Sequence, residues 1–314
     1  MKEALPRLDT HPDLRQRLLP FCRLRPGDVW CDPVNGHRVG VLDAADAAQV
    51  RQLLGSARPT LAVHDPPYNF AVGGRGSARL PARSLPDYLA FCRRWLRLTV
   101  DALAADAHLY LWLGADARNQ FQPLPDVMLL LREFAELRPR NLITLRNQRG
   151  YGTPHNWMWV RQELLHYTRG KPPFQVVYTD IPKILRGYYK TVGGKRTENG
   201  ARGKADTIRP GNVWVDVQQV FYRLPENVPG CYAQKPLPAI SRILQSSSRP
   251  GDAVYDGFAH SGTTLLAGEQ LGRRVLTCDV DPVFAEISIR RLEHFRATGQ
   301  PGWQWRTPFP ELAP

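Results

Sequence analysis

The chain has 314 residues, of which 43% are hydrophobic and 23% are charged, so it is long enough for one large core with a smaller insertion. It lacks an apolar run of about 18 residues, and its N-terminus is too charged for a signal peptide, so we expect a soluble, cytoplasmic protein. Its 42 Lys and Arg residues against 29 Asp and Glu residues give a formal net charge of +13, which favours a polyanionic partner.

The five cysteines are scattered along the chain and form no pair with a short spacing. They are Cys22, Cys31, Cys92, Cys231 and Cys278. This arrangement indicates neither a disulfide framework nor a zinc site, so we predict reduced thiols and no bound metal.

Short apolar runs alternate with segments of helical periodicity, which is typical of a parallel sheet with helices on both faces. Seven strands are predicted, at Arg38–Leu42, Thr60–His64, Ala107–Leu113, Asn141–Leu145, Leu164–Thr168, Asp252–Tyr255 and Arg274–Cys278. Helices are predicted at Asp87–Ala105, Pro125–Leu137, Pro238–Ser247, Thr263–Leu271 and Pro282–Phe295. The pattern therefore predicts an α/β fold.

The alternation stops between about Lys171 and Pro229. Within this stretch, Lys183 to Arg209 has eight basic residues against two acidic ones, and five glycines, so we expect a mobile surface loop in the free protein. The basic residues are Lys183, Arg186, Lys190, Lys195, Arg196, Arg202, Lys204 and Arg209. The loop is either a solvated basic segment or an insertion that orders on nucleic acid.

The apolar strand that ends at His64 is followed by Asp65-Pro66-Pro67-Tyr68. In open α/β sheets, ligands bind at this edge. Since the prolines remove two backbone donors, the turn presents carbonyl oxygens and one carboxylate, which suits an exocyclic amino group of a nucleic-acid base. Tyr68 offers a face on which an extruded base can stack. The alternative is an ordinary proline-rich turn after a strand.

A second pattern lies near the C-terminus. The strand that ends at Asp256 is followed by Gly257 to Thr264, a turn that leads into a helix and offers free N–H groups to a carboxylate. The next strand ends at Asp279, where nucleotide-binding folds place an acid for ribose hydroxyls. No G-x-G-x-x-G follows a strand, so an NAD-binding fold is disfavoured.

Together these segments resemble the amino-methyltransferases of DNA, in the permuted (beta) group whose catalytic motif precedes the donor-binding motif. The matching segments are Asp65 to Tyr68, Gln234-Lys235-Pro236 and Asp256 to Thr264. The resemblance implies a Rossmann-like, S-adenosylmethionine-dependent methyltransferase fold with a seven-stranded, mostly parallel sheet and a circularly permuted motif order.

The resemblance also implies roles for particular residues. The catalytic residues would be Asp65, Pro66, Pro67 and Tyr68. The donor-binding residues would be Asp43, Lys235, Asp256, Phe258, Ser261, Gly262, Thr263 and Asp279. The eight basic residues named above would bind nucleic acid.

On this basis we expect residues 1–170 to form the catalytic half of one methyltransferase domain and residues 230–314 its donor-binding half. Residues 171–229 would be a target-recognition insertion between them. The expected partner is double-stranded DNA, and the resemblance is compatible with a homodimer and a cognate restriction nuclease.

The chain departs from the family pattern at the donor turn. It has Gly257 where the family usually has Pro, His260 where the family has Gly, and Cys231-Tyr232-Ala233 in place of His-Pro-Thr. A side chain at a turn that needs positive φ costs roughly 1–2 kcal/mol, so His260 is predicted to weaken donor binding.

The predicted function is site-specific methylation of adenine N6 in DNA after base flipping. Adenine rests on the Asp that opens the motif, since cytosine-amino enzymes more often have Ser there. Cytosine-N4 methylation, RNA adenine methylation and a non-catalytic DNA-binding subunit remain alternatives. Methylation of cytosine carbon-5 is set aside because the chain has no Pro-Cys dipeptide.

Overall fold

The computed structural model describes residues 5–69, 83–115, 119–151, 154–182, 189–198 and 205–312. The α-helices of this part are α1 Pro12–Leu18, α2 Ala47–Leu54, α3 Leu85–Ala102, α4 Leu124–Leu130, α5 Leu237–Ser247, α6 Thr263–Leu271 and α7 Pro282–Thr298. The strands are β1 Val29–Cys31, β2 Arg38–Val41, β3 Leu61–His64, β4 Ala107–Leu113, β5 Leu137–Tyr151, β6 Trp159–Arg169, β7 Tyr189–Val192, β8 Lys195–Glu198, β9 Val213–Trp214, β10 Ala253–Asp256 and β11 Arg274–Asp279. None of the helices in these ranges is long and apolar enough to span a bilayer.

The main sheet has the strand order β1-β2-β11-β10-β3-β4-β6-β5-β9. Its seven inner strands are the seven predicted from the sequence, and the α/β fold class is confirmed. The predicted count of seven was wrong for the described sheet, which has nine strands because the short β1 and β9 pair at its two edges. Three residues in β1 and two in β9 are too few to produce a readable alternation.

In the order of the sheet, strands β2, β11, β10, β3 and β4 run parallel to one another. Strand β6 is antiparallel to both of its neighbours, β4 and β5. A hydrophobic core covers each face of the sheet. Helices α2, α3 and α4 pack on one face, and α5, α6 and α7 pack on the other. The β4 strand is buried along its whole length, as expected for a strand between two helical layers.

The chain leaves β10 and β3 in opposite directions. After β10 it passes through α6 to β11, and after β3 it passes through α3 to β4, on the other side. Such a divergence opens a crevice at the carboxyl ends of the two central strands. The crevice lies at the end of β3, directly before Asp65.

The sequence misplaces several elements outside the central sheet. The predicted helix 125–137 ends at Leu130, and Leu137 begins β5. Strands β5 and β6 form a hairpin much longer than the two predicted strands. Helices α1 and α2 were not predicted, because seven or eight residues carry too few apolar positions for a clear period.

The basic segment is more regular than the surface loop that the sequence predicts. Among its described residues, β7 and β8 form an antiparallel hairpin, and its turn contains Gly193 and Gly194 at φ 55° and 75°. A two-residue turn of this kind needs positive φ at both positions, which glycine adopts without strain. Lys190, Lys195 and Arg196 lie on this hairpin; Lys183, Arg186, Arg202 and Lys204 lie outside the described residues.

Candidate active site

The crevice at the carboxyl ends of β3 and β10 holds a small cavity that is open to solvent. Side chains from β3, β4, β10, α5 and the turn after β10 surround it. They are Val63, Asp65, Trp112, Lys235, Ile240, Asp256, Phe258, Ala259, His260, Ser261, Thr263 and Thr264. Two turns far apart in sequence, at Asp65 and at Gly257 to Thr264, therefore share one cavity.

The Asp65 carboxylate is held by two groups. The Lys235 ammonium lies 2.8 Å from Oδ2, and the Tyr68 hydroxyl donates a hydrogen bond of 2.7 Å to Oδ1. Lys235 is only 8% exposed, whereas Asp65 is 24% exposed. Its Nζ lies 5.4 Å from the ring centres of both Tyr68 and Trp112, so aromatic faces stabilise the buried cation.

Contacts on both sides support the Asp65 turn. The Tyr88 hydroxyl, on α3, donates a hydrogen bond of 2.8 Å to the Pro67 carbonyl. The Asn69 side chain donates to the Arg83 carbonyl at 3.0 Å and accepts from the Arg83 N–H at 2.7 Å. The two ends of the segment between Asn69 and Arg83 are thereby tied together beside the cavity.

His64 joins the two turns and was missed in the sequence analysis. Its Nδ1 accepts a hydrogen bond of 3.1 Å from the Gly257 N–H, and its Nε2 lies 3.1 Å from the Thr99 hydroxyl on α3. Burial lowers the pKa of His64 to about 3, so the ring is neutral. A histidine at the end of an apolar strand, directly before Asp65, was the available signal.

Glycines shape the turn after β10. A Cβ on Gly257 would lie 2.9 Å from the Ala44 Cβ, and a Cβ on Gly262 would lie 2.8 Å from the Ser288 Cα on α7. Gly262 has φ 71° and begins α6 without a side-chain cap, which leaves N–H groups at the start of the helix. His260 has φ 44°, so it does adopt the left-handed conformation considered in the sequence analysis.

Arg291, on α7, supports the same turn from behind and was also missed. It is fully buried. Its guanidinium donates to the Ser261 carbonyl at 2.9 Å, to the Thr263 hydroxyl at 3.0 Å and to the Glu226 carbonyl at 3.1 Å. Burial lowers its pKa to about 10, so Arg291 stays charged at neutral pH and fixes the turn.

Three carboxylates lie at the ends of neighbouring strands. Burial raises the pKa of Asp256 to about 7, although the Thr264 side chain and the Phe258 N–H donate hydrogen bonds to it. Burial likewise raises the pKa of Asp279 to about 7, and this carboxylate accepts from the His260 N–H at 3.0 Å. Asp43, beyond β2, accepts from the Ala45 N–H at 2.8 Å.

The cavity brings together only part of the predicted site. The predicted residues that line it are Asp65, Lys235, Asp256, Phe258, Ser261 and Thr263. Tyr68 does not line the cavity but donates a hydrogen bond to Asp65, which does. Gly262 faces α7. Asp279 and Asp43 lie at the ends of β11 and β2, the two strands next to β10 on the side away from β3. Arg209 follows the paired residue Ile208 in the basic segment, outside the cavity.

The Phe258 ring has a packing role besides its place at the cavity wall. It makes edge contacts with His64 and Trp95, with ring centres 5.8 and 5.3 Å apart. These contacts lock the turn after β10 onto α3 and β3. The predicted donor contact of Phe258 stays a prediction.

A separate cluster of Asp32, His37 and Glu269 has the spacing of metal ligands, but its bonding is already explained. Arg296 pairs with Asp32 at 2.8 Å and with Glu269 at 2.7 Å. The His37 Nδ1 accepts from the Val275 N–H at 2.9 Å, and its Nε2 lies 2.9 Å from Glu269. Arg296 pairs with both carboxylates, and both ring nitrogens of His37 have partners.

Comparisons with known proteins show which family the chain resembles. Residues 60–290 match the family model N6_N4_Mtase, described as DNA methylase. The type II methyltransferase M1.MboII of Moraxella bovis is 27% identical over an alignment of 275 residues, which covers 82% of this chain and 96% of that protein. The DNA adenine methyltransferase YhdJ of Escherichia coli K12 is 38% identical over 86 residues, 27% of this chain and 28% of that protein.

The fold is also similar to that of solved structures. TTHA0409 of Thermus thermophilus, determined as a complex with S-adenosyl-L-methionine, is 24% identical and matches 83% of this chain and 93% of its own, with a TM-score of 0.51. The likeness thus covers most of both chains.

Proposed function

Because the chain belongs to the family of N6- and N4-specific DNA methylases, we propose that it transfers a methyl group from S-adenosylmethionine to the N6 amino group of adenine in double-stranded DNA. The chain is a DNA methyltransferase, and S-adenosylmethionine is its cofactor. Adenine is supported by the Asp that opens the motif and by the 38% identity of one segment to a DNA adenine methyltransferase. Cytosine N4 is the alternative, because the family includes both activities.

The observation that carries the proposal is the meeting of two turns in one cavity. The Asp65 turn supplies acceptors for an amino group, and the turn after β10 supplies donors at the start of α6. A methyl donor and a base could therefore be held side by side. In such a reaction, positioning the two reactants supplies much of the rate.

The residues around the turn fit the cofactor. S-adenosylmethionine supplies an electrophilic methyl group on a positively charged sulfur. The uncapped start of α6, with Ser261 and Thr263, suits its carboxylate. Asp279, at the end of β11, and Asp43, at the end of β2, suit its ribose and adenine. Arg291 would hold this turn in place without touching the cofactor.

On the other side of the cavity, Asp65 would orient the target base. Its Oδ1 now accepts from Tyr68, so the entering amino group would replace the Tyr68 hydroxyl there. Lys235 would keep its contact with Oδ2 and hold the carboxylate in place. The Tyr68 ring, once released, would stack on the flipped base, and the Pro66 carbonyl would accept the second amino hydrogen.

We also propose the domain organisation that the sequence predicts. Residues 1–170 and 230–314 would form the two halves of the methyltransferase domain, and residues 171–229 would recognise the target sequence. The basic residues of this insertion would contact DNA phosphates. A DNA substrate agrees with a cytoplasmic location, and the homodimer and the restriction nuclease stay predictions.

The direct test is methyl transfer to defined nucleic acids. Purified protein would be incubated with isotopically labelled S-adenosylmethionine and unmethylated duplex DNA, and in parallel with RNA. Digestion and mass spectrometry would then identify the labelled nucleoside. We expect N6-methyldeoxyadenosine; labelled N4-methyldeoxycytidine would favour the alternative, and label confined to RNA would refute a DNA substrate.

A site variant tests the assigned role of the carboxylate. Asp65→Ala should abolish transfer and leave S-adenosylmethionine binding measurable by calorimetry, because Asp65 faces the base in this proposal. Asp101→Ala is the matched control, since Asp101 lies on the exposed surface of α3 and its carboxylate pairs only with Arg97 among the described contacts. Turnover by Asp65→Ala at the rate of the control would contradict the proposal.

A further inference from the structure

The β5–β6 hairpin extends beyond the edge of the sheet that holds the cavity. Strand β4 ends at Leu113, opposite Glu163 of β6, but β6 continues outward to Trp159. Four further residues at 3.3 Å each carry the hairpin about 13 Å past this edge. Since β6 is two strands from β3, the hairpin rises roughly 10 Å to the side of the Asp65 turn.

Near the tip of this hairpin, three consecutive large apolar residues are exposed. Trp157 is 93% exposed, Met158 is 60% exposed and Trp159 is 44% exposed. Consecutive large apolar side chains at a protruding tip are unfavourable in water unless a partner covers them. The tip therefore has the chemistry of a contact surface.

The base of the hairpin is anchored to the sheet. The buried Glu163 accepts a hydrogen bond of 2.7 Å from the Thr144 hydroxyl and pairs with Arg161 at 2.6 Å. On its other side, β5 pairs with β9, where the Thr144 N–H donates to the Asn212 carbonyl at 2.8 Å. The base of the hairpin is therefore fixed within the main sheet, and the hairpin extends from it.

The charge of the hairpin indicates which kind of partner it would bind. From Leu137 to Arg169 the sequence has six arginines and one acidic residue, Glu163. Of the arginines, Arg146 is exposed on β5 and lies opposite Arg161 in the ladder. A basic arm with an aromatic tip, on the edge where a base must enter the cavity, fits a polyanion with flat apolar faces.

We propose that the β5–β6 hairpin binds the DNA beside the methylated nucleotide, with Trp157 stacked on a nucleobase and Arg146 on the phosphate backbone. This proposal rests on the proposed function, because it takes DNA at the cavity edge as given. Trp157 supplies an apolar contact that does not depend on salt. Arg146 supplies a contact that releases counterions and so depends on salt.

The test is DNA binding by the full-length protein over a salt series, with one unmethylated duplex that is also assayed for methyl transfer. Trp157→Ala should weaken binding by about tenfold or more at every salt concentration, as for loss of one stacked base, and Trp157→Phe should retain most of the affinity. Arg146→Ala should instead reduce the slope of log affinity against log salt by about 1. Calorimetry should give unchanged S-adenosylmethionine binding for all three variants.

The matched control is Trp305→Ala. Trp305 is 52% exposed and follows Trp303, which stacks on His294 near the far end of α7, away from the cavity edge. This variant should bind DNA like the wild type. Equal DNA affinity of Trp157→Ala and Trp305→Ala would overturn the proposal, as would a loss of affinity explained by dissociation of a dimer in light scattering.

The two proposals can fail separately. If the wild type binds the duplex through Trp157 but transfers no methyl group to it, the proposed function fails and the hairpin contact stands. If the wild type methylates DNA and Trp157→Ala binds and methylates it equally well, the hairpin proposal fails alone.

Discussion

At the scale of single residues, Lys235 is the position where the structure most changes the interpretation of the sequence. The motif Gln234-Lys235-Pro236 suggested a donor-binding lysine. In the structure its ammonium pairs with Asp65 at 2.8 Å and is nearly buried. Gln234, its neighbour, instead braces the preceding loop through the Val228 N–H and the Glu226 carbonyl. We therefore propose that Lys235 acts on the base side of the cavity, through its ion pair with Asp65.

We predict that Lys235→Met lowers kcat by about a hundredfold, the usual loss when one preorganised charged contact is removed. Asp65 would lose the ammonium group that fixes its position. Lys235→Arg should recover part of the activity, because a cation at this place can still reach the carboxylate. Single-turnover kinetics and calorimetry would separate transfer from donor binding.

A different result would contradict the proposed role of Lys235. A large rise in the dissociation constant for S-adenosylmethionine, with kcat unchanged, would return Lys235 to the donor side. Unfolding temperatures of Lys235→Met and Lys235→Arg must be compared first, since both replace a largely buried side chain.

At the scale of elements, one N–H group contributes a buried hydrogen bond between β3 and the turn after β10. The Gly257 N–H donates to His64, and the space beside Gly257 is closed by the Ala44 Cβ. The proline that the family usually has here could neither donate nor fit against Ala44. In this chain, the Gly257 N–H therefore makes a hydrogen bond to the His64 ring that a proline at position 257 could not make.

Substitutions at Gly257 should separate these two effects. Gly257→Ala adds only the Cβ, and Gly257→Pro adds a ring and removes the donor, which leaves the buried His64 Nδ1 unpaired. Pro should therefore lower the free energy of unfolding by about 1–3 kcal/mol more than Ala. Urea unfolding of the two variants measures the difference; equal destabilisation would show that the hydrogen bond to His64 contributes nothing.

The elements that could be predicted from the sequence are those with strong local signals. The α6 bounds were predicted correctly, because Gly262 and Gly272 flank this helix and both have positive φ. The buried inner strands were found for a similar reason, since continuous apolar runs bounded by turns are distinctive. The β5–β6 extension was missed because its outer part carries mainly polar residues and a register shift after Arg146.

The features of the candidate site also divide into those that the sequence predicts and those that it does not. The meeting of the Asp65 turn with the Gly257 turn follows from sequence, because the carboxyl ends of adjacent parallel strands share one edge. The supports of the site do not follow from sequence. His64 bonds to a residue 193 positions away, and Arg291 reaches the turn from a different helix. No local pattern marks either contact.

At the scale of the whole molecule, the β5–β6 hairpin and the two ends of the basic insertion join the main sheet on the same side of β4. The hairpin emerges from β5 and β6, and the basic insertion leaves from the end of β6 and returns through β9, which pairs with β5. The cavity lies between these elements and the donor half of the sheet. A duplex held at this edge would therefore be contacted on the side of β5 and β6, and its flipped base would enter next to β3.

The insertion is closed at its base by main-chain pairing, and this permits a test of the domain organisation. The Thr179 N–H donates to the Ile208 carbonyl and the Ile208 N–H donates to the Ile181 carbonyl, both at 2.9 Å. Pro182 and Thr207 form the next bridge. Because bridged residues are about 5 Å apart, a short Gly-Ser turn can replace residues 183–206 without disturbing the sheet.

We predict that this replacement keeps the unfolding temperature and the S-adenosylmethionine affinity of the wild type but removes sequence-specific methylation. Seven of the eight basic residues of the segment would be absent, so the slope of log DNA affinity against log salt should become shallower. A full-length control with the same seven residues changed to Gln separates the loss of charge from the loss of chain. If the shortened protein still methylated the same sites at the wild-type rate, recognition of the target would have to reside elsewhere, and the β5–β6 hairpin would be the first place to look.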